Sequence, residues 1–348
     1  PSYGNFVCGK GGVIDTWLGL GASGFRLDVA DELPDDFIEK IRAAVKAHGE
    51  DKLLIGEVWE DATTKEAFDH RRTYLRGHGL DATMNYPFRN AAVAFARGED
   101  ASAVGEQIMS ICENYPKPAL DCAMNFLSTH DTERGITAIA GEPANGRDRY
   151  WQSKRMIPGD RIDDALRRVL LAYAMLYTLP GVPCVYYGDE IGMRYLPLPT
   201  KEGGYFRTGS RTPMQWDDTA NHGFSTADAQ NIYLPVDTAA DAPTVAAQAD
   251  DPDSLLNSVK SLLAFRHAHA DLNADAPFKV LYAPKAKDDY RPFVWQRGDL
   301  ICAVNPAGVS IELPLELAED LKIQYTIGKA EIVNDMLSLG AQSFAILG

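Results

Sequence analysis

The 348-residue sequence is poor in positive charge: 34 Lys and Arg stand against 49 Asp and Glu, for a net charge of −15. A nucleic-acid partner calls for a basic stripe, so that class is excluded. Long apolar runs are missing too, and a membrane-spanning helix needs about 20 such residues. Cysteine is sparse. Cys8, Cys112, Cys122, Cys184 and Cys302 are odd in number, scattered and without metal-ligand spacing. That is the usage of mostly buried thiols in a reducing compartment, and on this ground alone a cytoplasmic location is expected. The sequence opens at Pro1 with no initiator Met and no leader segment, and it reads as a piece of a longer chain. It holds no internal repeat and no low-complexity tail.

What is present begins with apolar mass. At 45% hydrophobic residues, the chain builds either one large domain or two. Its most informative stretch is Gly24-Phe25-Arg26-Leu27-Asp28-Val29-Ala30-Asp31. On a strand, side chains two apart share a face, so Arg26 and Asp28 stand side by side. A guanidinium there holds the carboxylate ionised and oriented, which suits a nucleophile. A structural ion pair at a strand end fits this stretch equally well.

Along the chain, 1–10 reads as loop and 12–20 as a helix stopped by Gly19 and Gly21. A strand follows at 23–29, then a helix from Pro34 to Gly49 with Phe37, Ile38, Ile41 and Val45 on one face. The next strand, 53–59, ends near Glu57, and a helix is expected over 64–76. Strands at 80–86, 123–127 and 182–187 alternate with helices at 87–96, 101–113 and 162–179. Nearly continuous apolar strands separated by helices are the pattern of a parallel sheet covered by helices. From about 188 to 251 the text turns to Gly, Pro, Asp and Thr with isolated aromatics (Tyr205, Phe206, Trp216, Phe224). That is long for a connection and reads as a functional loop over the strand ends. A helix at 255–268 closes this region. Beyond Asn273, short strands at 279–282, 293–296, 300–304, 310–313 and 343–347 read as a separate antiparallel β domain.

Three carboxylates, Asp28, Glu57 and Asp131, sit where apolar strands end, the side on which parallel α/β folds build their active sites. Glycoside hydrolysis or transfer uses such a set: one ionised nucleophile and one acid of raised pKa. Asp28 is the natural nucleophile and Glu57, with Trp59 nearby, the natural acid/base. Asp131, preceded by His130, is placed to bind ring hydroxyls and to stabilise positive charge at the transition state. Each also has a plainer reading: a capping or surface carboxylate for Glu57, a satisfied structural histidine for His130, and core packing for Trp59 and Tyr86.

Gly24-Phe25-Arg26-Leu27-Asp28, Gly56-Glu57-Val58-Trp59 and Ser128-Thr129-His130-Asp131-Thr132-Glu133-Arg134 resemble, in order, three signatures of the α-amylase family, glycoside hydrolase family 13. The stretch Pro180-Gly181-Val182-Pro183 through Gly188-Asp189-Glu190 resembles the family's eighth strand and its exit. Met84-Asn85-Tyr86-Pro87-Phe88 is similar to the neopullulanase and cyclomaltodextrinase branch. Ser210-Arg211-Thr212-Pro213-Met214-Gln215-Trp216-Asp217 is similar to the oligo-1,6-glucosidase and α-glucosidase branch. The resemblance implies an α/β fold, part of a (β/α)8 TIM barrel (strands four to eight) over 1–272, and a C-terminal all-β domain over 273–348.

It further implies a retaining hydrolase acting on α-glucans or malto- and isomalto-oligosaccharides. In that reading Asp28 is the nucleophile, Glu57 the acid/base, Asp131 and His130 hold the −1 glucose, Arg26 orients Asp28, and Arg211 helps bind that glucose. Tyr86 and Trp59 would wall neighbouring sugars. No cofactor is implied, and the asparagine that often serves a structural calcium belongs to the missing third strand. A half barrel on its own is expected to aggregate and be inactive. Two alternatives stand beside hydrolysis: transglycosylation by the same residues, and a non-catalytic carbohydrate-binding relative. Linkage preference and oligomeric state are not specified.

Overall fold

The computed structural model describes residues 2–142, 157, 159–197, 207–314, 321–334 and 336–348. They fall into two compact units. One comprises Pro1–Phe88, Glu106–Asn125 and Pro180–Pro183, the other Arg89–Gly105, Phe126–Leu179 and Cys184–Gly348.

The first unit opens with helices α1 (Tyr3–Cys8) and α2 (Val13–Gly19). Strand β1 (Gly24–Leu27) then leads through helix α3 (Asp35–Lys46) to strand β2 (Leu53–Gly56). The ladder of β1 and β2 is parallel, with Gly24 opposite Leu53 and Leu27 opposite Gly56. Gly24 takes φ 157° directly against the Leu53 carbonyl, where a Cβ would lie 2.1 Å from the oxygen, so this residue must be glycine. Helix α3 forms because Ile38, Ile41 and Val45 make one buried stripe. Its first turn is acidic (Asp35, Asp36) and its last basic (Lys46), in accord with the helix dipole.

A hairpin follows, β3 (Glu66–Ala67) and β4 (His70–Arg71), paired antiparallel. Parallel pairing resumes with β5 (Ala82–Thr83) on β2. Helices α4 (Tyr86–Ala96) and α5 (Ala101–Asn114) carry residues of both units. Helix α6 (Lys117–Asp121) then precedes β6 (Met124–Asn125). A parallel bridge joins Met84 to Met124, and β7 (Val182–Pro183) pairs parallel with β6. Five parallel segments are thus neighbours in chain order, as short crossovers through helices dictate.

In the second unit, helices α7 (Gly135–Ala140) and α8 (Ile162–Thr178) pack with α9 (Val245–Ala249) and α10 (Leu255–Ala268). The remaining strands are antiparallel: β8 (Phe278–Tyr282), β9 (Phe293–Arg297), β10 (Leu300–Asn305), β11 (Ile311–Leu313), β12 (Ile323–Ile327), β13 (Ala330–Val333), β14 (Met336–Leu339) and β15 (Ser343–Leu347). They form one sheet in the order β12-β15-β10-β9-β8 and a second in the order β11-β14-β13. Val294, Ala303, Ile311, Leu313, Leu337, Leu339, Ala345 and Leu347, drawn from both sheets, make a single buried cluster.

Four local expectations are corrected. The 1–10 stretch holds α1, whose Ser2 side chain caps it by accepting from the Asn5 amide. No helix forms over 64–76, because Phe68 and Asp69 both turn left-handed (φ 54° and 61°) and Arg72 is buried, bonded to Asp35 and to the Asp31 carbonyl. The strand expected over 182–187 is only two residues long. Strands β12 to β14 were not expected. The 188–251 region is irregular where described, with 3-10 turns at Asp189–Ile191, Thr208–Ser210, Ala220–Gly223 and Ala229–Asn231. Tyr205 and Phe206 lie outside the described residues. Among the described residues no helix is long and apolar enough to cross a membrane.

Candidate active site

Arg26, Asp28 and Glu57 come together in the first unit. The β1–β2 ladder continues one step past its strands, with the Glu57 amide donating to the Leu27 carbonyl at 3.0 Å. That register sets Glu57 beside the end of β1. Arg26 then reaches both carboxylates: its Nη1 bonds Asp28 Oδ1, and its Nη2 lies 3.0 Å from Glu57 Oε2. The expected Arg26–Asp28 pair is present, and the extension to Glu57 is an addition that spacing on one strand does not reveal.

The two carboxylates live in different surroundings. Asp28 has a side chain that is 74% exposed, against 6% for Glu57. Both oxygens of Glu57 are occupied, Oε1 by the Trp59 indole N–H at 3.0 Å and Oε2 by the Val29 amide at 2.8 Å as well as by Arg26. Trp59 stacks on Tyr86 with ring centroids 4.3 Å apart and planes 12° from parallel. Tyr86 is buried beneath it while Trp59 keeps an open face. Val29, the residue after Asp28, holds φ 43° and ψ 56°, a left-handed conformation that a β-branched side chain strongly disfavours.

His130, Asp131 and Arg211 come together in the second unit. Asp131 Oδ2 meets His130 Nε2 at 3.0 Å, and Oδ1 meets Arg211 Nη2 at 3.2 Å. Arg211 Nε also donates to the His130 carbonyl at 2.9 Å. A second arginine, Arg207, pairs with the same Oδ1. Arg207 was missed because no motif contains it; it stands one 3-10 turn ahead of Arg211. The amide of Asp131 is fixed by Thr129 Oγ1 at 3.1 Å.

Behind this cluster lies a buried polar network. Ser128 donates to Asp189, and Arg134 donates to the Tyr187 carbonyl and lies 3.4 Å from Asp189 Oδ1. The Arg134 guanidinium also sits 4.8 Å and 4.7 Å from the ring centres of Tyr186 and Tyr187. Burial pushes the Asp189 carboxyl upward, against the pull of Arg134 and Ser128. The network ties the segment carrying His130 and Asp131 to the segment 186–190. The same two segments supplied signatures in the sequence, but their mutual bonding was not readable there. Among the described residues no group of three or more His, Cys, Asp or Glu side chains is placed to hold a metal ion.

Residues 9–275 match the family model described as alpha amylase, catalytic domain. The chain belongs to the α-amylase family. It is 37% identical over 172 residues to a cyclomaltodextrinase of Geobacillus thermopakistaniensis (strain MAS1), covering 49% of this chain and 24% of that protein. A trehalose synthase of Thermus thermophilus is 32% identical over 296 residues, or 75% of this chain and 28% of the relative. The solved debranching enzyme of Nostoc punctiforme superposes with a TM-score of 0.65 at 23% identity, over 96% of this chain and 60% of that one. This α-amylase family chain therefore has a TIM-barrel-type α/β fold with a C-terminal antiparallel sheet domain, and it spans only about a quarter of the length of those two curated relatives.

Proposed function

We propose that this α-amylase family chain carries the catalytic groups of a retaining hydrolase of α-glucosidic bonds in α-glucans or malto- and isomalto-oligosaccharides. The observation that carries the reading is the single guanidinium of Arg26, hydrogen-bonded to Asp28 and ion-paired with Glu57 at 3.0 Å. Retaining glycosidases hold their two carboxyl groups about 5 Å apart, and a fork gripping one oxygen of each supports such a spacing.

Asp28, exposed and oriented by Arg26, attacks the anomeric carbon as Glu57 gives a proton to the departing glycosidic oxygen. Glu57 then takes a proton from water, the water oxygen bonds the same carbon, and Asp28 leaves. Asp131 and His130 hold hydroxyls of the −1 glucose, with Arg211 and Arg207 fixing Asp131. Trp59 offers its open face to a neighbouring sugar. Transfer to a sugar hydroxyl in place of water is the second reading, favoured by the match to a trehalose synthase over 75% of this chain.

The same reading divides the chain into a C-terminal part of the barrel, strands four to eight, over 1–272 and an all-β domain over 273–348. The family match ending at residue 275 and the first antiparallel strand at Phe278 support that boundary. Five free cysteines support a reducing, cytoplasmic setting. Replacing Asp28 with Ala in the whole protein that carries this chain tests the function: turnover of maltotriose falls to background while sugar binding persists. Unchanged turnover in the variant sinks the proposal.

A further inference from the structure

A cavity of about 750 Å³ lies within the second unit, and no residue of the Asp131 cluster borders it. Small-molecule sites run from roughly 300 to 1,000 Å³. The walls come from α8, from the start of α10, from the end of β12 and from the turns β12–β13 and β14–β15. The β14–β15 turn is tied to α8, because Gln342 Nε2 donates to Asp164 Oδ1. Two exposed cations border the hollow, Arg167 on α8 and Lys329 in the β12–β13 turn. Asp164, one turn before Arg167, is taken by Arg168 at 2.8 Å and by Gln342. Among the described residues neither Arg167 nor Lys329 has an ion-pair partner. On a chain of net charge −15, two uncommitted cations at one cleft make a local positive field that collects an anion.

The rest of the lining narrows the kind of anion. Asp253 borders the cavity together with Ser258 and Ser310. A carboxylate repels a bare anion but accepts from hydroxyls, so the fitting ligand carries hydroxyls as well as charge. Among the described residues bordering the cavity Tyr325 is the one aromatic, and its ring packs on Phe265 with centroids 5.1 Å apart. One committed ring is a poor platform for a nucleobase, which binds by stacking. Two cations also match a single phosphate group better than a chain of them. We propose that this cavity binds the phosphate monoester of a hexose, with the phosphate paired to Arg167 and Lys329 and the sugar hydroxyls held by Asp253, Ser258 and Ser310. Binding here is separate from the chemistry at Asp28 and stands or falls without it.

The test titrates the whole protein that carries this chain with glucose 6-phosphate and with inorganic phosphate, by calorimetry. Glucose 6-phosphate is expected to bind at one site, at least about tenfold tighter than inorganic phosphate, and more weakly as salt is raised. Arg167→Gln and Lys329→Gln, both at exposed positions, each weaken it by at least about tenfold. Neither changes the circular dichroism spectrum or the turnover of maltotriose measured without the phosphate ester. Asp131→Asn leaves the binding of glucose 6-phosphate unchanged. The absence of binding at millimolar concentrations overturns the proposal, and so does an affinity that survives both cation substitutions. Inorganic phosphate binding as tightly as the ester overturns it by removing the sugar from recognition. Loss of binding in Asp131→Asn overturns it too, because the ester would then lie at the candidate active site.

Discussion

The backbone amide of Val29 donates to Glu57 Oε2 at 2.8 Å, and it does so from a left-handed conformation with φ 43°. The chain therefore turns sharply immediately after Asp28 and aims a fixed N–H at the second carboxylate. Strain of this kind is kept where the surroundings over-determine it, commonly at functional sites.

Replacing Val29 with Gly relieves that strain and keeps the amide. A left-handed non-glycine residue costs roughly 1–3 kcal/mol, and the added freedom of glycine when unfolded returns about 0.5–1 kcal/mol. The variant is expected to unfold a few degrees higher in a thermal melt, by about 1 kcal/mol, with Glu57 still clamped. A lower melting temperature would show that the left-handed turn stores no strain.

Arg26→Lys keeps the charge and removes the fork. An ammonium is a point donor and does not reproduce the planar grip on Asp28 and Glu57 together. Misplacing a catalytic group by about 1 Å costs on the order of 10²-fold in rate. The variant is expected to lose about that much in kcat on maltotriose with KM little changed. An equal rise in KM with kcat preserved would assign Arg26 to substrate binding instead.

The hairpin of β3 and β4 is expected to respond to pH through Asp35 and His70, whose Nε2 lies 3.0 Å from Asp35 Oδ2. The Phe68 carbonyl, then Asp35, raises the His70 pKa above its ordinary 6.5. Burial acts to raise the Asp35 carboxyl, but the hydrogen bonds from His70 and Arg72 outweigh it and hold it below 3.8. The histidine contribution is complete below 6.5 and is lost as pH rises through its folded value. The carboxylate contribution is present above 3.8 and is lost as pH falls through its folded value. Hydrogen exchange of the hairpin amides should therefore quicken on the alkaline side beyond its intrinsic trend, and His70→Ala should abolish that excess. Identical profiles for parent and variant would remove His70 from the account.

Much of this was legible in the sequence where the pattern is chemical and local. Arg26 at the end of β1 with Asp28 one step past it, the stripe of Ile38, Ile41 and Val45, and the strand-helix alternation all follow from side-chain periodicity. The strands at 323–327 and 330–333 were missed although they alternate in burial, because their text is half polar and abuts a charged stretch. The hairpin at 66–71 was read as helix because two successive left-handed residues, Phe68 and Asp69, carry no glycine to announce them. Contacts made across long sequence separations left no signal at all. Arg207 on Asp131 and Arg134 on the Tyr187 carbonyl are of this kind.

The most direct test is to trap the covalent intermediate with 5-fluoro-α-D-glucosyl fluoride, then digest the protein and locate the added mass. The account predicts one glucosyl adduct, on Asp28, absent from the Asp28→Asn variant and released when the excess reagent is removed. An adduct on Asp131 or Glu57, or hydrolysis proceeding with Asp28 unmodified, would contradict it.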